Sequence, residues 1–451
     1  MKQLLETACY YPEEIERVLK GESFLKFDPE LGYIQIDYIF RDGIYNTLSE
    51  YTYDKKYFFR KMINYKEKIC RINTYGNSYT QCAQVSDGET WQEILSAHFR
   101  EPIRNFGVGG YGIYQSYLRM MKIEKTEIAA EYIILNIWDD DHLRNIDSSR
   151  WIRVAWIHQN LQRGGGENTY PVHGFPWSHI RFDIEKNSFV EIPGRCKNEE
   201  DLRKLTDKEY YYNFFKDDHV VHLFTLTQGG EAPVDYLEKL GEVFGLKIDL
   251  RNPKRRIDDA KKLHITYGVK STIYILEKLK KWIEENKRKL IIILSYDAPT
   301  CKKYIEKNER FDSELIKYLK ENKFYFIDTL KKTKEEYKLY RIGVDKFLSR
   351  LYISRAGAQV FGHYSPYGNF WFAWAIRKEI VEFLKPKRPS YRTYLDFKIL
   401  YSKLSRSAFH DASIIFSETP TVPHVSFSSV DSMTTLVTAA VAFSGFKILT
   451  L

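Results

Sequence analysis

Apolar and polar positions along the chain change period in a way that divides it into blocks. Residues 1–66 read as a helix followed by mixed strands and turns, as in "FDPELGYIQIDYIFRDGIYNTLSEYTYD". From 67 to about 145 the pattern is strand, helix, strand, helix, strand. "ICRINTY", "IRNFGV" and "EYIILNIW" are the strands, and "DGETWQEILSAHF" and "IYQSYLRMMKIE" the helices. Asp87 stands where it would cap the first of those helices, with Glu89 in its first turn. The alternation stops after Asp141. Residues 146–262 are rich in Gly, His, Trp and Pro and read as an insertion with small strands of its own. The α/β pattern returns with helix "STIYILEKLKKWIEEN", strand "RKLIIILSYD", helix "FDSELIKYLKEN" and strand "KFYFIDTL". A last helix begins near Asn369, and Pro386 and Pro389 close it. Strands alternating with helices predict βαβ units, a mostly parallel flavodoxin-like sheet and an α/β/α sandwich. The core is expected over 67–145 and 263–385, and 386–451 is an extension whose last forty residues are rich in Ser, Thr, Val and Ala.

Composition narrows the class. A chain of 451 residues with 43% hydrophobic content has ample material for a core and is too long for one compact unit without additions. The net charge of +9 comes from 69 basic and 60 acidic residues, a mild excess over this length. The densest basic stretch, "RNPKRRIDDAKKLH", carries two Asp and lacks interleaved aromatics, so a solvated helix face is expected there and no nucleic-acid partner. The five cysteines are widely spaced and form no CxxC pair, which argues against a disulfide framework and a zinc site. The N-terminal stretch "MKQLLETACYYPEEIERVLKGE" reads as no signal peptide, and no apolar run reaches the ~20 residues of a membrane span. A cytoplasmic setting is the expectation.

Chemistry-bearing residues collect where strands end. Ser78 follows the first core strand in "GNSYT"; the second ends in "NFGVGGYG" and the third in "NIWDDDH". Open parallel sheets place ligands outside the carboxyl ends of their strands. Far downstream, "GHYSPYGN" puts His363 in a loop before the final helix. Three adjacent acids, Asp139 to Asp141, cannot all face one ion, and His173 and His179 lack a third partner, so no metal and no cofactor is expected. The stripe Trp371, Phe372 and Trp374 reads as core.

In these segments the chain resembles the SGNH/GDSL hydrolases. The family's Gly-Asp-Ser-x-Thr block reads Gly76-Asn77-Ser78-Tyr79-Thr80 here. Its second block offers a glycine amide to the oxyanion hole, and Gly110 matches. Its Gly-x-Asn-Asp block reads Trp138-Asp139-Asp140-Asp141, with Asp140 at the Asn position. His363 matches the general base of the last block, where Val360 replaces the expected acid. Asp345, and after it Asp328, are substitutes by position in the chain. The resemblance implies a Ser78–His363 acyl-enzyme mechanism on carboxyl esters of carbohydrate or lipid. The backbone amides of Ser78 and Gly110 would form the oxyanion hole. An ionised Asp140 facing that hole would weaken it, so a slow esterase is expected. An O-acyltransferase acting on a polysaccharide and a catalytically degenerate binding module are the alternatives. Oligomeric state is not specified by any motif.

Overall fold

The computed structural model describes residues 1–157, 174–354 and 361–384, all within one compact unit, Met1–Ser390. The Pro386 and Pro389 stop, the 411–451 tail, Val360 and His173 lie outside the described residues. Five strands form an all-parallel sheet: β1 (Ile72–Gly76), β2 (Arg104–Asn105), β3 (Tyr132–Trp138), β4 (Lys289–Ser295) and β5 (Phe326–Asp328). Their spatial order is 2-1-3-4-5, one of the two common doubly wound orders. The central register runs Ile72↔Tyr132 to Gly76↔Asn136 on one side of β3 and Tyr132↔Lys289 to Trp138↔Ser295 on the other. A strand covered on both faces reads as a continuous apolar run. That is why "YIILNI" of β3 is buried at every position and "IIILS" of β4 likewise.

The core helices are α1 (Trp91–Phe99), α2 (Ile113–Ile123), α3 (Arg256–Glu285), α4 (Ala298–Lys307), α5 (Ser313–Glu321), α6 (Thr329–Tyr337) and α7 (Pro366–Leu384). They pack in two groups. α1, α7, α6 and α4 touch in succession, and α2, α3 and α5 do the same. Two groups about one parallel sheet are compatible with an α/β sandwich.

Several expectations need correction. Asp87 does not cap α1. Thr90 does, its hydroxyl accepting from Glu93 N at 3.3 Å, while Asp87 pairs with the buried Arg60 at 2.8 Å. α3 begins already at Arg256, so the expected boundary at 262 falls inside a helix. Residues 146–262 hold one hairpin, His179–Asp183 with Ser188–Ile192, and are otherwise mostly helical where described. His363 lies on a strand, not a loop: β6 (Tyr352–Ser354) and β7 (Phe361–Tyr364) pair antiparallel.

The N-terminal block and the insertion share a second apolar cluster. Leu5 and Tyr33 from the first and Trp177 and Phe215 from the other pack with Val108 and Tyr111 of the glycine-rich loop. That loop therefore rests on both additions. Among the described residues no helix is long and apolar enough to cross a membrane. All five cysteines are free and buried.

Candidate active site

β1 ends at Gly76, and the next residues turn at once into a short helix, Ser78–Gln81. Asn77 caps it: its Oδ1 accepts from Tyr79 N at 2.7 Å. The other end of the same amide donates to Asp141 Oδ2, which also accepts from Trp138 N at 2.8 Å. The side chain at 77 must accept at one end and donate at the other. An amide does both, whereas a carboxylate would face Asp141 with no proton to share. The Asn77 amide is thus matched to Asp141. Burial pushes Asp141 up to about 7, while Arg144, the Trp138 N–H and Asn77 pull it down.

The Ser78 amide, first in its turn, has no acceptor among the described residues. The Ser78 hydroxyl lies 2.8 Å from His363 Nε2, and Ser78 is 8% exposed. β7 carries His363 to it, and Tyr79 holds the ring in place. Tyr79 lies 5.1 Å from the imidazole centroid, 5.0 Å from Tyr364 and 5.2 Å from Trp138, with which it stacks. The far side of the imidazole meets Gln84. Gln84 Oε1 is 3.0 Å from His363 Nδ1 and accepts from the His363 backbone N–H at 2.8 Å.

The expected acid is not brought to this ring. Asp345 is a largely exposed helix residue, 63% exposed at its side chain, and pairs with Lys302 at 2.8 Å. Asp328 caps α6 and pairs with Arg310, also at 2.8 Å. Gln84 carries no sequence signal of this role, since it is neither an acid nor a few residues before the histidine. Gln84 instead follows the Ser78 turn.

The glycine loop runs beside the same turn. Val108 N donates to Gly76 O at 3.0 Å, which lays "VGGYG" along the end of β1. A Cβ at Gly109 would stand 3.8 Å from that of Ser78. Gly110 has φ of 89°, a conformation glycine adopts freely and other residues rarely do. Two N-terminal side chains fix the loop: Tyr33 hydroxyl donates to Gly109 O at 2.7 Å, and Gln35 Oε1 accepts from Gly109 N at 3.1 Å. Sequence gave no sign of either, since both lie in a block outside the family resemblance.

Asp140 is drawn away from this centre. Its carboxylate takes Arg144 Nε at 2.9 Å and Arg153 Nη1 at 2.8 Å. Burial alone would raise its pKa, but Arg153 and Arg144 outweigh that and hold it well below the usual carboxylate range. Arg153 also pairs with Asp147 at 2.6 Å, so the first helix of the insertion is tied to the carboxyl end of β3. Asp139 accepts from Thr300; burial, and then Asp297, push its pKa up strongly. The three acids turn to different partner sets, with Arg144 shared between Asp140 and Asp141. Among the described residues no group of three or more His, Cys, Asp or Glu side chains could hold a metal, and His179 is a buried ring 3.2 Å from Trp177 O.

The arrangement can accept a proton from a serine hydroxyl at a half-closed sheet edge. Beside it are the Ser78 amide and the glycine loop, whose Gly109 approaches Ser78. No protein-family model matches the chain, and no curated protein matches it.

Proposed function

We propose that this chain is a serine hydrolase of the SGNH/GDSL type, with that family's fold and a Ser78–His363 reacting pair. The observation that carries the reading is the 2.8 Å approach of His363 Nε2 to Ser78 Oγ beyond the carboxyl end of β1. The reaction is two acyl transfers. His363 takes the Ser78 proton as Oγ attacks the carbonyl carbon of a carboxyl ester. The tetrahedral oxyanion accepts hydrogen bonds from the amides of Ser78 and Gly110. Collapse expels the alcohol, which receives the proton from His363 and leaves an acyl-Ser78. Water, deprotonated by His363, attacks that ester; the acyl–Oγ bond breaks, the acid is released, and Ser78 Oγ takes the proton back from His363. A sugar hydroxyl in place of water makes the same site an O-acyltransferase. The substrate class, esters on carbohydrate or lipid, comes from the family likeness.

A second reading, a binding module without chemistry, is favoured by Asp140. Where the family has a third oxyanion donor, this chain has a carboxylate committed to two arginines. A fluorophosphonate probe separates the two. Wild type is expected to label at Ser78, and Ser78→Ala to lose both the label and hydrolysis of a small activated ester. An unlabelled wild type with native thermal unfolding would favour the binding module.

A further inference from the structure

We infer that Gln84 is the positioning residue of this site: it selects the His363 tautomer whose Nε2 is free to accept the Ser78 proton. The role rests on the reading of Ser78 and His363 as the reacting pair.

The oxygen end of the Gln84 amide faces the histidine. A backbone N–H can only donate, and His363 N–H points at this atom from 2.8 Å. The atom is therefore the oxygen. The same oxygen lies 3.0 Å from His363 Nδ1, so Nδ1 must carry the proton for that contact to be a hydrogen bond. In a neutral imidazole only one nitrogen is protonated. Nε2 is then bare, and it is Nε2 that stands 2.8 Å from Ser78 Oγ. One fixed amide thus decides which way the proton moves at the other side of the ring.

The rest of the structure keeps that amide from turning over. Gln84 Nε2 donates to the Asp42 carbonyl at 2.9 Å, and Gln84 N donates to the Tyr51 hydroxyl. A flipped amide would set oxygen against the Asp42 carbonyl and NH₂ against the His363 N–H. Gln84 itself holds φ of 72° and is 2% exposed, a left-handed backbone that a residue with a Cβ rarely adopts. β7 also leaves room for it. A Cβ at Gly362 would come within 2.5 Å of Gln84 Oε1. The chemistry differs from that of a triad acid in one respect. An amide oxygen orients the ring but carries no charge to stabilise the imidazolium that forms. The carbonyl of Asp42 explains why an amide stands here, since a carboxylate would leave that acceptor facing another.

The test reads the tautomer directly. Protein carrying ¹⁵N-labelled histidine is examined by NMR above the pH at which His363 titrates, with His363→Asn identifying its signals. Wild type is expected to show a protonated Nδ1 and a bare Nε2. Gln84→Leu should lower the ratio of that tautomer to the other by roughly two- to tenfold, the worth of one hydrogen bond. Gln84→Glu should keep the tautomer and raise the protonation midpoint of His363 by about one unit or more, because an ionised carboxylate favours the imidazolium. A purely structural residue would move neither. A protonated Nε2 in wild type overturns the inference, and so does a folded Gln84→Leu with an unchanged ratio. The wild-type spectrum decides the tautomer whether or not Gln84→Leu folds. An unreactive Ser78 with the expected tautomer sinks the hydrolase reading alone; a reactive Ser78 with protonated Nε2 sinks this one alone.

Discussion

The ends of β1 and β3 lie side by side at one sheet edge and treat their polar residues in opposite ways. Beyond β1, Asn77 and Tyr79 prepare a surface on which one hydroxyl meets one imidazole. Beyond β3, the side chains of Asp139, Asp140 and Asp141 go to Thr300, to two arginines, and to Asn77 with Arg144. By residue type the second edge looks the more reactive. Its charges are nonetheless consumed in holding the insertion and the Ser78 turn. Partners, rather than residue types, separate an edge that presents a hydroxyl and an imidazole from one whose charges are taken up in packing.

The strongest way to break that contrast is to attack the β3 end. Arg144 is 2% exposed, pairs with Asp140 and Asp141, and also donates to Tyr111 O. Arg144→Met is expected to lower unfolding free energy by about 3–5 kcal/mol, because it strands buried carboxylates. A denaturant midpoint equal to that of wild type would show that the acids are not structural.

A middle-sized effect concerns His142, in the same turn. Burial holds its pKa down at about 4, against the pull of Asp312 and Asp140, and Nδ1 meets Thr272 Oγ1 at 2.8 Å. His179 is likewise held at about 4 and His264 at about 3, again chiefly by burial. All three are neutral in the fold, so between about pH 6.5 and 4 the unfolded chain binds more protons. Stability is therefore full above that window and falls as pH falls through it. For His142 the loss from pH 7 to pH 5 is about 2 kcal/mol, and His142→Gln should remove that share of the slope. Unfolding curves at the two pH values would refute this if both proteins lost the same amount.

The smallest expected effect sharpens the contrast most. The family likeness would have Asp140→Asn restore an oxyanion donor and raise the rate. With its carboxylate on Arg144 and Arg153, the change should alter ester hydrolysis by less than about threefold, since only groups aimed at the oxyanion count. A large gain would return Asp140 to the hole.

What was legible in the chain follows from range. Ser78 could be placed because it directly follows "ICRINTY", which reads as a strand, whereas His363 stood out through "GHYSPYGN" before the last helix, and its strand reads as a loop. The sheet was readable from its apolar runs, as "YIILNI" and "IIILS" admit few other roles. Gln84 was not readable. It reaches His363 through a left-handed turn, and no local pattern announces a φ of 72° at a glutamine. Asp140 misled because its second partner, Arg153, lies in an insertion with no counterpart in the resemblance. Asp345 misled because distance along the chain stood in for distance in space.

The 285-residue separation of Ser78 from His363 has a bearing on how the protein is made. Bringing two points so far apart together in a flexible chain costs on the order of 5 kcal/mol in closure entropy, and here the packed fold supplies it. Synthesis runs from the amino end, and domains fold as units when their parts are present. Ser78 is therefore made long before His363, and the contact between them forms only when the last described strand, β7, docks.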